Sequence, residues 1–229
     1  VAIVKPEFIQ EAETTWNTAT TPKATASFEV KKGDVLVAYC TSEEASGRTY
    51  GISGGSLTWT SQQVVAVNAY TYVRVWTATV DADKSMTVSF ARESGESALF
   101  GGNVLTFRKS GGIGKSAKAN VSGAAPSLSI TTEKEHSAIV VVNGDWNAAD
   151  GEGTKREWRT GAGSFTEQTY FRDGSHYTVY GGFHPDASAA AAKTVGLTKP
   201  TGQKYAIIAI EVLGLEEAGE EKHSGTTSV

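Results

Sequence analysis

A single cysteine, Cys40, among 229 residues rules out any disulfide framework within the chain. It lies in the apolar run GDVLVAYC, where a small buried hydrophobe is the expected role rather than a nucleophile. Basic residues are also scarce. Twenty-one lysines and arginines stand against 25 aspartates and glutamates, for a formal net charge of −4. A phosphate-tracking nucleic-acid binder needs a clustered basic face, yet the densest group, Lys109, Lys115 and Lys118, is thinned by glycine and serine. No nucleic-acid partner is expected. No run approaches the roughly 20 apolar residues of a membrane-spanning helix. The opening VAIVKPEFIQEAETTW has neither the basic start nor the apolar stretch of a signal peptide. The expectation is therefore synthesis in a cytoplasm and no membrane partner.

What is present reads as strands. ASFEV, GDVLVAYC, SLTWTSQQVVAV, YTYVRVWTATV, SMTVSF, ALFGGNVLTFR, PSLSITT, SAIVVV, HYTVYGGF, AKTVGL and YAIIAIEVLG alternate in polarity or form short β-branched and aromatic blocks between turn residues. Only EFIQEAETTW near the start and SAAAAK near the end have the makings of a short helix. The order of elements repeats at an offset of about 100 residues. GDVLVAYC, LTWT, the long hairpin that follows and NVLTFRK are echoed by HSAIVVVN, REWRT, HYTVYGGF with its continuation, and YAIIAIEVLG. The expected fold class is all-β: a two-sheet, jelly-roll-like sandwich with a pseudo-two-fold half-repeat over residues 25–214. Tandem small β domains are the alternative, with KSGGIGKSAKANVSGAAP as linker or long loop. Residues 1–24 and 215–229 carry charged and small polar residues without a strand period. They are expected as extended N- and C-terminal arms that contact other chains.

GGIGKS ends like a phosphate-binding loop, but the position that requires the first glycine is Lys109. A flexible turn is the simpler reading. GDWNAADGEG offers Asp145, Asn147, Asp150 and Glu152 as hard oxygen ligands, but places Ala149 and Asp150 where a calcium loop wants an oxygen ligand and a glycine. Neither a metal nor a cofactor is expected. The loop is read first as a strand corner, with Gly144 turning the chain, Asp145 and Asn147 bonding its amides, and Trp146 against the rim. Aromatic residues crowd the span that follows, interleaved with acids, arginines and histidines. Flat rings with amides and carboxylates around them suit a sugar; the same rings also suit a sandwich core or a subunit contact. If a ligand binds, the expected surface is Trp158, Tyr170, Tyr180 and His184, with Asp150 as its exposed acid. No Gly-x-Ser-x-Gly elbow or metal-spaced histidines occur, and no catalytic residues are assigned. Glu211, alternating with Ile208, Ile210 and Val212, is an inward-pointing acid or a solvent-facing sheet residue.

Taken together, the FEVKKGDVLVAYC entry, the DWNA corner and the closing AIEVLG strand resemble the β-sandwich domains of minor tail proteins of phages that infect actinobacteria. The likeness spans residues 20–215. It implies a jelly-roll-like, lectin-like sandwich displayed on the virion, anchored to tail or capsid subunits, oligomeric within the particle and in contact with host envelope glycans. A capsid decoration protein is the alternative within that class, and a soluble carbohydrate-binding module or lectin the alternative outside it. No catalytic residues carry over.

Overall fold

The structure, a computed structural model, describes residues 1–20, 22–43, 50–67, 71–92, 97–202 and 204–217. The described chain is all-β, with antiparallel pairing throughout its sheets and only one short 3-10 turn, Gly153–Lys155. The segments VLVAYC, AIVVV and YAIIAI are apolar at every position, so both faces of the strands they form need cover. Layering supplies it. One inner sheet runs in the order Glu7–Glu13, Ala98–Arg108, Val35–Glu43, Thr71–Thr79, Thr60–Ala66. The other runs Ser110–Ser122, Lys204–Glu216, Ala138–Asp145, Thr178–His184, Thr166–Arg172. Each has an outer layer of shorter strands: Lys23–Ala24, Val88–Arg92 and Tyr50–Gly54, with Phe28–Val30 and Lys84–Met86, in the first half; Ser127–Thr131, Ala192–Lys199 and Glu157–Trp158 in the second.

The pleat sorts the side chains into three apolar layers. Val35, Val37 and Tyr39 point to the centre, where they meet Val140, Val142, Ile208 and Ile210 of the other inner sheet. Leu36, Ala38 and Cys40 point outward onto Phe28, Met86, Val88 and Phe90. Ile139, Val141, Ile207 and Ala209 do the same in the second half, onto Leu128, Ile130 and Val195. The half-repeat is therefore real, and its halves share one central core while each keeps a core of its own. Trp76, a large indole in mid-strand whose apolar area predicts burial, is 6% exposed.

The inner sheets meet at both edges. Gln63 Nε2 donates to Ser116 Oγ at 2.7 Å, and Lys118 Nζ to the Val64 carbonyl at 3.0 Å. Asn120 donates to the carbonyls of Ala66 and Val67. At the opposite seam Trp16 stacks on Phe171 with centroids 5.6 Å apart, and Phe8 lies 4.7 Å from Phe183. An uncovered edge strand is an aggregation template; here each half closes the edge of the other.

Two sequence expectations change. Residues 1–24 are not an arm: Glu7–Glu13 pairs with Ala98–Arg108, Asn17–Ala19 with the same strand, and Lys23–Ala24 with Val88–Arg92. The Lys23 amine is buried, donates to the carbonyls of Thr15, Asn17 and Phe100, and is pushed down to about 8 by loss of solvent. An edge strand half-covered by the other sheet tolerates glutamates on its open side, which is why the segment showed no clear period. At the other end Ile3–Val4 pairs with Leu215 and Glu216, and Glu217 N–H donates to the Ala2 carbonyl at 2.9 Å. The rest of the expected C-terminal tail, residues 218–229, lies outside the described residues. Ser110–Ser122, read as linker or loop, is a thirteen-residue strand on Lys204–Glu216.

Candidate binding surface

The DWNA corner is sewn down from below. Gly144 does not turn the chain; it stays in the ladder between Ala206 and Val179, and a Cβ there would lie 2.8 Å from Val73 Cγ2 of the other half. The turn follows Asp145, whose Oδ1 accepts the Ala149 N–H at 3.1 Å and whose Oδ2 accepts the Tyr180 hydroxyl at 3.3 Å. Ala148 takes a left-handed φ of 49° and its carbonyl is held by Arg172 Nε at 2.7 Å. The Ala149 carbonyl accepts from Thr178 Oγ1 at 2.9 Å and Tyr180 at 3.1 Å. Burial raises the Asp145 carboxyl to about 6 against these bonds. Trp146 packs half-buried against the central core.

Beyond the corner the chain makes the 3-10 turn and the two-residue strand Glu157–Trp158, which pairs with Ala192–Lys199. Side chains of this segment and of Thr166–Arg172 come together around Glu167. Its carboxylate receives Arg156 Nε at 2.5 Å, Arg156 Nη2 at 2.6 Å and Trp158 Nε1 at 2.8 Å. Arg156 also lies over the Tyr170 ring, 3.9 Å from its centroid. The Tyr170 oxygen accepts the Gly151 N–H at 3.2 Å. Trp158 stacks on Phe165 with centroids 3.6 Å apart. Asp150 sits beside this group, paired with Lys155 and accepting the Glu152 N–H at 3.0 Å; the ammonium holds its carboxyl below the usual range.

Three of the five expected site residues, Trp158, Tyr170 and Asp150, thus share one half-buried surface. Tyr180 and His184 do not join it. Both are wholly buried, and a ring with no exposed face has nothing on which to stack a ligand. Tyr180 lies behind Tyr170, 5.7 Å between centroids, and burial beside Asp145 drives its hydroxyl pKa far up. His184 packs edge-on to Phe165 at 4.9 Å, with Nδ1 toward the carbonyls of Gly163 and Ser164; burial lowers its pKa. They are the floor of the surface. Arg156 and Glu167, its charged centre, were not singled out together. The signal for them was REWRT followed by a strand opening TEQ, where alternation puts Glu167 and Thr169 on opposite sides of a bulge.

Two acidic groups, Asp145 and Glu211, are used internally. Asp145 faces inward and Asp150 outward, so they do not converge. Among the described residues no three acidic, histidine or cysteine side chains are placed to hold a metal ion. Glu211 is wholly buried. Its carboxylate accepts Lys115 N–H at 3.0 Å, Glu133 N–H at 2.8 Å, Lys134 N–H at 3.2 Å and the Ser137 hydroxyl at 2.8 Å. The glycine-rich GGIGKS segment is occupied by this side chain: Lys115 N–H bonds it, and a Cβ on Gly114 would collide with Glu211 Oε2. Comparison with protein-family models, curated proteins and solved structures finds no match.

Proposed function

We propose that this chain is a structural protein of a bacteriophage particle, most simply a minor tail protein that displays a double sandwich at the virion surface and contacts host envelope glycans. The resemblance of its entry strand, corner and closing strand to actinobacteriophage tail domains supports the reading. The observation that carries it furthest is the pairing of Ile3–Val4 with Leu215 and Glu216. The two ends of the described chain lie side by side, so a subunit held there by tail or capsid neighbours presents all its remaining surface outward. Anchoring by a free arm of residues 1–24 is no longer part of the reading, because that segment is built into the sheets. On the displayed side, Trp158, Tyr170, Arg156 and Glu167 form a fixed aromatic and charged surface.

Gold-labelled antibody against the purified chain, applied to intact actinobacteriophage particles that encode it, tests the assignment. Label along the tail is expected. Label on the capsid alone moves the protein to the decoration class, and particles that lack the chain overturn the virion reading.

A further inference from the structure

The two halves are alike enough to be compared position by position, and at one place they differ sharply. The register pairs Val37 with Thr77 as it pairs Val140 with Phe183, and Val212 with Ile113 as it pairs Phe107 with Phe8. At one seam the rings of Phe8, Phe107 and Phe183 fill the gap between the inner sheets, with centroids 4.7, 5.3 and 5.9 Å apart. At the other seam the same three places hold Ile113, Val212 and Thr77. Beside Thr77 and Ile113, at the end of Thr60–Ala66, an open cleft of about 490 Å³ is left, within the range of roughly 300–1,000 Å³ typical of small-ligand sites.

Its lining has a definite chemistry. Thr58, Thr60, Thr77 and Thr79 contribute hydroxyls and Gln62 an amide, with Leu57 and Ile113 as apolar walls. Gln62 Nε2 donates to Thr77 Oγ1 at 2.8 Å, which leaves the Thr77 hydroxyl hydrogen free to donate. Gln62 is the extra residue of a bulge between Ser61 and Gln63, a device that re-aims a side chain at the rim of a sheet. Among the described residues lining the cleft there is no lysine or arginine. The one acid, Asp81, is engaged by Lys84 at 2.5 Å. Groups that both donate and accept, set between two apolar walls, match a neutral polyhydroxylated ligand.

We infer that this cleft, rather than the aromatic surface of the second half, is a binding site for a short neutral saccharide. The inference deepens the host-envelope reading above and rests on it for the source of the sugar.

The test is a titration of the isotopically labelled full chain with maltotriose, mannotriose, galactotriose and arabinotriose into the millimolar range, followed by amide NMR. Saturable shifts at Thr58, Gln62 and Thr77 with at least one of the four are expected. Thr77→Phe, which places in the cleft the ring that the other seam carries, should weaken that binding about tenfold or more. Gln62→Ala serves the same purpose if the first variant does not fold. Absence of cleft shifts with all four sugars overturns the inference, as do shifts confined to Trp158 and Tyr170, or binding that survives both substitutions. Sugar binding by a chain absent from the particle would sink the virion reading and leave the cleft standing; a particle-borne chain without cleft shifts would do the reverse.

Discussion

In the first half Arg74 donates to the Ser42 hydroxyl at 3.2 Å; in the second, Tyr180 occupies the same place in the register and donates to the Asp145 carboxylate at 3.3 Å. The same exchange of polarity recurs at the corner where each inner strand begins. Asp34, ahead of Val35, is wholly buried and held by Arg108 through two bonds of 2.8 and 2.9 Å and by the Lys31 N–H at 2.8 Å. Ser137, ahead of Ala138, donates instead to Glu211, which comes from the opposite strand. Around these differences the strand order is the same, and so is the bulge, at Gln62 in one half and Gln168 in the other. The topology is thus carried by apolar alternation and one backbone irregularity. The buried polar groups must be satisfied in each half, but how they are satisfied is free to change.

The two corners should respond unequally to damage. Glu211→Ala leaves three backbone N–H groups without their acceptor, and should cost about 4 kcal/mol as a shift of the urea midpoint at constant slope. A loss below about 1 kcal/mol would mean that water replaces the carboxylate. Asp145 offers a pH test without counterpart at Ser42. Burial pushes its carboxyl up to about 6, above the ordinary aspartate range, so the folded state holds the proton more tightly. Stability should be greatest below pH 4 on this account and fall by up to about 3 kcal/mol as pH rises through 6. Asp145→Asn should flatten that window in unfolding curves taken at successive pH values; an unchanged slope would place the titration elsewhere. Phe183→Thr copies the first half's residue into the filled seam and should cost about 3 kcal/mol through lost contact with Phe8 and Phe107. Asp34→Asn is the mildest change, at about 1.5 kcal/mol, because Arg108 is partly exposed and water can take up its released bonds. A thermal scan in which Asp34→Asn hurts more than Glu211→Ala would reverse the ranking of the corners.

The half-repeat, the strands and the burial of Trp76 were legible because alternation survives wherever one face of a strand differs from the other. Legibility failed where that difference vanishes. Thr178–His184 is buried on both faces, so nothing in YTVYGGFH distinguishes a ring that points out from one that points in, and Tyr180 and His184 were read as surface. Glu7–Glu13 failed for the converse reason: as an edge strand it carries Glu7, Glu11 and Glu13 beside Phe8 and Ala12, and the charges masked its period. Ser110–Ser122 is poor in bulk because it passes close to its neighbour. A Cβ on Gly111 would lie 2.7 Å from the Gly214 carbonyl oxygen, so small residues that suggested a linker are what close packing of a strand requires. The residues of the Trp158, Glu167 and Arg156 cluster stood in REWRT and TEQ, but their convergence was not legible, because Glu157–Trp158 pairs with Ala192–Lys199 while Glu167 belongs to a strand of the inner sheet.

The pairing of residues 2–4 with residues 215–217 has a consequence for how the gene can be cut. Lys109 alone separates the last strand of the first half from the first strand of the second, while Ala2 and Glu217 are already hydrogen-bonded neighbours. Joining residue 217 to residue 2 by a short flexible linker and opening the chain at Lys109 would reverse the order of the halves without breaking a sheet pairing. Such a circular permutant should fold to the same structure, because neither half needs to be made first for the shared core to form.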